Sequence, residues 1–376
     1  MRVLISICPY LGHLRAHVPL ASELVTRGHL VAFATEPGFC TAVRGAGFEC
    51  RAVGARPRDP IPADREGVPH ASDHGVSEVK ARCADLVELA RAILPDVIVR
   101  DEMEVAAAVA AEALSIPCVT LGFTELTARP AWDALVRPVL DEVRSCWALN
   151  GDQGGAGMGQ SEYLNLVPRA FRQRLDPVRG ERPLRPVCRQ KHGPPPPAAW
   201  LEQLPARPTV HVALGAAEDS RVDPMATIAA WLSPLPISLI CTAEPDYDLD
   251  AVASIAERDN VHITNYVPLE QILSRCDAAI SSGGFNAMMG ALQFGLPVLA
   301  VPLRADHQQN ASKAAGLGAG IRMTAGDLTR EAVVSAVRDL LTESTYRVVA
   351  ARLQEHIERM PGPDDAAAYL EAQVIS

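Results

Sequence analysis

Three short stretches of this sequence hold groups whose types and spacing suit chemistry. The first is Cys8-Pro9-Tyr10-Leu11-Gly12-His13-Leu14-Arg15-Ala16-His17, directly after the apolar run Val3 to Ile7. An imidazole just beyond a strand can serve as a general base, because its unperturbed pKa lies near neutrality. His13 is that candidate. The second is Asp101, at the end of the run Asp96 to Arg100. A carboxylate there can hold the tautomer of an imidazole and stabilise its cation, as in the hydrolase triads. Both have plainer readings: His13 as a cap of the next helix, Asp101 as an N-cap. His17 stands four residues after His13, but no third ligand lies nearby, so the spacing does not predict zinc.

The third stretch is Ala279-Ile280-Ser281-Ser282-Gly283-Gly284-Phe285-Asn286. A strand ending in a Gly-Gly turn that opens a helix presents backbone N–H groups and a positive dipole end to an anion such as a diphosphate. Any tight strand-to-helix turn can use the same pair. Gly316-Leu317-Gly318-Ala319-Gly320 follows a helical pattern and precedes a strand, so it reads as a C-cap and turn and not as a dinucleotide fingerprint. NAD is not expected. Asp246-Tyr247-Asp248 lies in a Pro- and Asp-rich turn and predicts no metal site.

The elements that must position these groups follow from the alternation of β-branched runs with Ala-rich helical segments, the pattern of βαβ units on parallel sheets. Val3 to Ile7 and Leu30 to Thr35 are the first strands, with a helix between them that has Pro19 near its start and stops at Gly28. Asp96 to Arg100, helical Val105 to Leu114 and Ile116 to Gly122 repeat the unit. A proline-rich stretch over 177–208, with Pro194 to Pro197 in a row, can continue neither a helix nor a central strand. After it come strands at Thr209 to Leu214, Ile237 to Cys241, Val261 to Thr264, Ala278 to Ser281 and Val298 to Val301. Helices are predicted around Met225 to Leu232, Phe285 to Phe294 and Gln308 to Ala315, and from Thr329 to Met360. The expectation is two doubly wound α/β domains with the site in the cleft between them. Residues 1–190 form the first, 191–207 the linker and 208–360 the second, with 361–376 a tail that can pack back on the first.

Composition fits this reading. The 376 residues are 48% hydrophobic and 21% charged with a net charge of -10, which suits a globular protein and gives no electrostatic footprint for a nucleic-acid polymer or an anionic membrane. The nine cysteines are spread singly, as reduced core thiols are. The N-terminal apolar run is too short for a signal segment and no 18-residue apolar stretch follows, so a cytoplasmic protein with no membrane partner is expected.

Taken in order, the motifs resemble the GT-B family of nucleotide-sugar-dependent glycosyltransferases, in its bacterial natural-product branch of macrolide and enediyne type. The resemblance covers nearly the whole chain. It rests on Gly12-His13, Pro19-Leu20-Ala21-Ser22-Glu23-Leu24, Arg27-Gly28-His29, Ala46-Gly47-Phe48, Leu94-Pro95-Asp96 to Asp101 and Ser115-Ile116-Pro117-Cys118-Val119. In the second half it rests on Asn260-Val261 to Val267-Pro268-Leu269, Gly295-Leu296-Pro297 to Val301-Pro302-Leu303, and Ala305-Asp306 to Asn310-Ala311.

The resemblance implies a GT-B fold of two facing Rossmann-like domains and an inverting, metal-independent transfer. In it His13 deprotonates an acceptor hydroxyl and Asp101 orients His13. No cofactor is implied; the co-substrate is a nucleoside-diphosphate sugar, carried by TDP, UDP or GDP. Donor contacts fall on Gly215, Tyr266 (stacking on the base), Val267, Ser282, Gly283, Gly284, Asn286, Asp306 (on sugar hydroxyls) and His307. The candidate acceptor contacts are Gly12, Phe123 and Trp132, although Trp132, like Trp147, can equally fill the core. The assembly is a monomer or homodimer.

Several family donor contacts are replaced in this chain. Ser282 stands for a phosphate-binding histidine, Ala216 for a Ser or Thr, Ala287 and Gly290 for a Ser or Thr and a ribose-binding Glu, and His307 for a glutamine. Two alternatives therefore stand beside a glycosyltransferase: a degenerate GT-B protein acting as a binding or activating partner, and a nucleotide-sugar epimerase. Residues 56–80, with His70 and His74, and 123–162, with Trp132, Trp147 and a Gly-rich tract at 151–159, read as variable insertions around an acceptor cleft.

Overall fold

The computed structural model describes residues 1–54, 76–124, 130–149, 162–172, 180–187, 199–214, 223–243, 247, 249–252, 255, 258–265, 267, 269–303 and 305–375. Two wholly parallel sheets carry the described chain. The first runs β3-β2-β1-β4-β5-β6-β7, from β1 (Arg2–Ser6), β2 (Leu30–Thr35), β3 (Glu49–Ala52), β4 (Val97–Asp101), β5 (Cys118–Gly122), β6 (Glu162–Asn165) and β7 (Glu181–Pro183). The second runs β10-β9-β8-β11-β12-β13, from β8 (Thr209–Ala213), β9 (Ser238–Ala243), β10 (Val261–Asn265), β11 (Ala278–Ser281), β12 (Val298–Ala300) and β13 (Gly320–Arg322). Both are Rossmann-like.

The central strands are continuously apolar because helices cover both faces, as parallel sheets require. On one face of the first sheet, α1 (Leu11–Thr26) packs Leu14, Leu20 and Leu24 against Val3, Ile5 and Val99. On the other, α3 (Val76–Ile93) and α4 (Val105–Leu114) pack Cys83, Leu86, Ala106 and Val109 against Leu4 and Ile98.

The helix after β1 corrects one expectation. It begins at Leu11, after an extended Tyr10, and Pro19 lies inside it, not near its start. His13 is thus a first-turn helical residue. Pro19 removes one backbone donor in mid-helix, and the packed apolar face of α1 offsets that loss. The expected insertion at 56–80 also ends earlier than its sequence pattern suggested, since Val76 already opens α3.

The two halves share apolar packing. One cluster runs from Ile7, Leu14 and Leu20 through Phe285, Met288 and Leu292 to Ala367 and Leu370. The C-terminal helix Pro363–Ile375 lies along α1, where Glu371 meets Arg27 at 3.1 Å and His29 at 2.7 Å. Within the expected linker 191–207 the chain forms a short helix, Ala199–Glu202, whose Trp200 stacks on His262 of β10 at 3.6 Å and 15° and whose Leu201 is buried against Ile240 and Ile272, so this part packs on the second half and is not a free connector. Among the described residues, no helix is long and apolar enough to cross a membrane.

His211 sits in β8 with 3% exposure, its Nε2 paired with Thr242 Oγ1 at 2.9 Å, and burial pushes its pKa down to about 4. The unfolded chain binds that proton more tightly, so the His211 contribution is complete above pH ~6.5 and is lost as pH falls toward the folded value, about 3 kcal/mol in all. Urea unfolding at pH 7 and pH 4.5 should show this loss, and His211→Gln should shrink it.

Candidate active site at the sheet crevice

In the strand order β2-β1-β4-β5, the chain winds away in opposite senses on either side of the β1–β4 pair, and α1 and α4 cover opposite faces of the sheet. The carboxyl ends of β1 and β4 therefore border the crevice where ligands bind in such sheets. His13 enters it from the first turn of α1, and Asp101 is the last residue of β4. Their side chains meet, with His13 Nδ1 2.5 Å from Asp101 Oδ2.

Asp101 is fully buried. Burial alone would push its carboxyl up, but the facing His13 charge and hydrogen bond, His17 nearby and the Met103 N–H at 2.8 Å hold it below the usual range. The carboxylate is then the acceptor and His13 Nδ1–H the donor, which places the imidazole lone pair on Nε2. His13 keeps 13% of its side chain exposed. The ring is walled by Phe123, edge-on at 5.0 Å and 86°, and by Tyr10 at 5.5 Å.

His17 lies beneath the pair, fully buried, with Nδ1 donating to the His13 carbonyl at 2.8 Å. Burial pushes its pKa down, and its Nε2 has no hydrogen-bond partner among the described residues. Sequence spacing paired His17 with His13 as a doubtful metal site. Among the described residues, the cluster with metal-ligand composition is instead Cys8, His13 and Asp101, whose ligand atoms lie within 4.8 Å of one another. That set could hold a borderline-soft divalent ion in composition, though only by taking the His13–Asp101 contact apart.

A second carboxylate, Glu102, was not singled out by sequence. It is fully buried, burial pushes its pKa up, and its Oε1 accepts the N–H groups of Phe123 at 2.8 Å and Thr124 at 2.6 Å. Its Oε2 accepts the Tyr163 hydroxyl at 2.9 Å. No local spacing announces this, since its partners come from just beyond β5 and from β6.

The second sheet brings Ser282, Gly283, Gly284 and His307 together. Gly283 has φ +87°, and a Cβ there would stand 2.8 Å from the His307 carbonyl oxygen. A Cβ on Gly284 would lie 3.3 Å from His307 Nε2. The turn is pinned by Gly283 N–H on Ser281 Oγ at 3.0 Å and Asn310 Nδ2 on the Gly283 carbonyl at 3.0 Å. The helix Phe285–Gln293 starts from Gly284 with no side-chain cap, and such first-turn N–H groups favour an anion.

The two sites are joined directly. Asn286 Nδ2 donates to the carbonyl of Gly12 at 2.8 Å, and the Phe123 and Phe285 rings lie 5.6 Å apart. Of the remaining expected residues, Val267 packs toward Leu201, Ile240 and Ile272. Asp306 is in the helix Ala305–Leu317 and Trp132 in the helix Pro130–Ser145; both side chains lie outside the described residues, as do Gly215, Ala216, Tyr266 and the tract 151–159.

Known proteins share this plan. The family "Erythromycin biosynthesis protein CIII-like, C-terminal domain" matches residues 240–373. The chain is 28% identical to aklavinone 7-beta-L-rhodosaminyltransferase of Streptomyces galilaeus, over 99% of this chain and 95% of that protein. The crystal structure of the glycosyltransferase SnogD from Streptomyces nogalater superposes with a TM-score of 0.79 at 27% identity, covering 99% of each chain. Spinosyn rhamnosyltransferase SpnG, complexed with thymidine diphosphate, gives a TM-score of 0.81 at 25% identity over 99% of this chain and 100% of that one. The fold is GT-B. Over nearly its whole length the chain is similar to GT-B glycosyltransferases of bacterial natural-product biosynthesis.

Gly283→Ala combines a strained positive φ with a backbone clash, so it should cost roughly 1–3 kcal/mol of stability, read as a lower urea midpoint at unchanged m-value.

Proposed function

We propose that this protein moves a sugar from a nucleoside-diphosphate sugar to a hydroxyl of a small natural product, with inversion at the anomeric carbon and without a metal ion. The observation that carries the reading is the buried 2.5 Å His13–Asp101 contact, tied through Asn286 and Gly12 to the Gly283–Gly284 turn. In this reading residues 1–190 take the acceptor, 208–360 the donor, 191–207 connect them, and 361–376 close back on the first half.

A neutral alcohol is a poor nucleophile at pH 7, and His13 Nε2 removes its proton as the oxygen attacks the anomeric carbon. The bond from that carbon to the diphosphate oxygen breaks on the opposite face, and a single displacement inverts the centre. Asp101 stabilises the imidazolium, which later returns its proton to water. The departing diphosphate gathers negative charge against the N–H groups at the start of the helix Phe285–Gln293, where fixed dipoles need no reorganisation. TDP is the first donor nucleotide to test, because spinosyn rhamnosyltransferase SpnG is complexed with thymidine diphosphate; UDP and GDP follow.

The replaced donor contacts at Ser282, Ala216, Ala287 and Gly290 favour a second reading, a non-turnover binding partner with the same fold. A thermal-shift panel of TDP, UDP, GDP and ADP against the monophosphates separates the two, since a ligand that binds only the folded state raises Tm. A diphosphate-specific rise is expected; no rise at millimolar nucleotide favours the partner.

Asp101→Asn should lower kcat/KM for TDP release in the presence of an aglycone about 10²–10⁴-fold, with the TDP-induced Tm rise intact. A drop below tenfold would remove Asp101 from the mechanism.

Chelation by EDTA should leave the turnover rate unchanged. A rate abolished by EDTA and restored by a divalent ion would end the metal-free assignment.

A further inference from the structure

Phe123 is the side chain that touches both halves of the site, meeting His13 edge-on at 5.0 Å and Phe285 of the donor helix at 5.6 Å. It is 5% exposed and stands at the first position after β5. A residue leaving a strand into a loop is not held there by ladder hydrogen bonds, so something else must fix it. That restraint is Glu102. Its Oε1 takes the two consecutive N–H groups of Phe123 and Thr124, and its Oε2 is held by the Tyr163 hydroxyl from β6. Gly122 completes the lock, because a Cβ there would stand 1.7 Å from the Tyr163 hydroxyl oxygen.

A loop needs no buried carboxylate merely to turn, and burying one is costly unless donors are arranged around it. Here three donors converge on one rigid group, and the chain direction they fix sets the Phe123 ring against the imidazole. We infer that Glu102 and Tyr163 are positioning residues for the transfer, acting through Phe123, which they hold as a fixed wall between His13 and the donor helix. The inference rests on the proposed role of His13. It assigns acceptor geometry to a lock one residue beyond Asp101, with no contact to substrate.

Tyr163→Phe and Glu102→Gln should leave the TDP-induced Tm rise and the donor KM unchanged while kcat with an acceptor falls about tenfold. Phe123→Leu should give the same loss, and adding Tyr163→Phe to it should cost no more, since residues acting through one another are non-additive. A readout independent of turnover is acylation of His13 by diethyl pyrocarbonate, followed by peptide mass. Loosening the wall should speed it several-fold in all three variants, with His29 as the internal reference. Unchanged His13 acylation, or fully additive losses with Phe123→Leu, would overturn the inference. Loss of the TDP response in the wild type, with His13 acylation still accelerated in the variants, would sink the proposed function and leave the lock standing.

Discussion

The contact on which the site depends is a buried charge and the ring that meets it. Asp101 is wholly inside the protein, and a carboxylate there is tolerable only with donors arranged around it. The Met103 N–H satisfies one oxygen and His13 the other. The requirement reaches outward from there. His13 must lie in the first turn of α1, so α1 must begin at Leu11, and β1 and β4 must be neighbours so that the two residues share one crevice. His17, one turn deeper, bonds the His13 carbonyl, which fixes the backbone of the residue that faces Asp101.

Much of this was legible because it is local or periodic. A histidine just after the first strand and an aspartate closing a later one point to one sheet edge as soon as the sheet is parallel, and the alternating pattern makes it parallel. What sequence misplaced or missed depends on packing across distance. Pro19 reads as a helix start on its own propensity, yet the apolar stripe Leu14, Leu20 and Leu24 carries the helix through it. Glu102 reads as one more acidic residue on a turn, yet its donors come from Phe123, Thr124 and Tyr163, 21 to 61 residues further on, and no spacing rule reaches so far.

The second half shows the same division. Gly283 and Gly284 are visible as a pair, but the reason for both is the approach of His307 from a later helix: its carbonyl leaves no room for a side chain at Gly283, and its ring crowds Gly284. His307, Gly283 and Gly284 are therefore one packing problem. Among the described residues, what the turn offers an anion is mostly backbone, the N–H groups opening the helix Phe285–Gln293. Backbone donors do not depend on side-chain identity, so the N–H groups that open this helix are present whatever stands at Ser282 and Ala287.

Asn286 then links the two halves. In a two-domain enzyme the base and the leaving group sit on different bodies, and a displacement needs them aligned within fractions of an ångström. Here an amide from the first turn of the helix Phe285–Gln293 reaches the carbonyl of Gly12, next to the proposed base. Phe285, one residue earlier, meets Phe123, which in turn meets His13. Both routes run from the Gly283–Gly284 turn to one imidazole. Alignment between the domains therefore follows from contacts at the chemistry itself, and the long interface formed by Met288, Leu292 and Leu20 has only to keep the halves together.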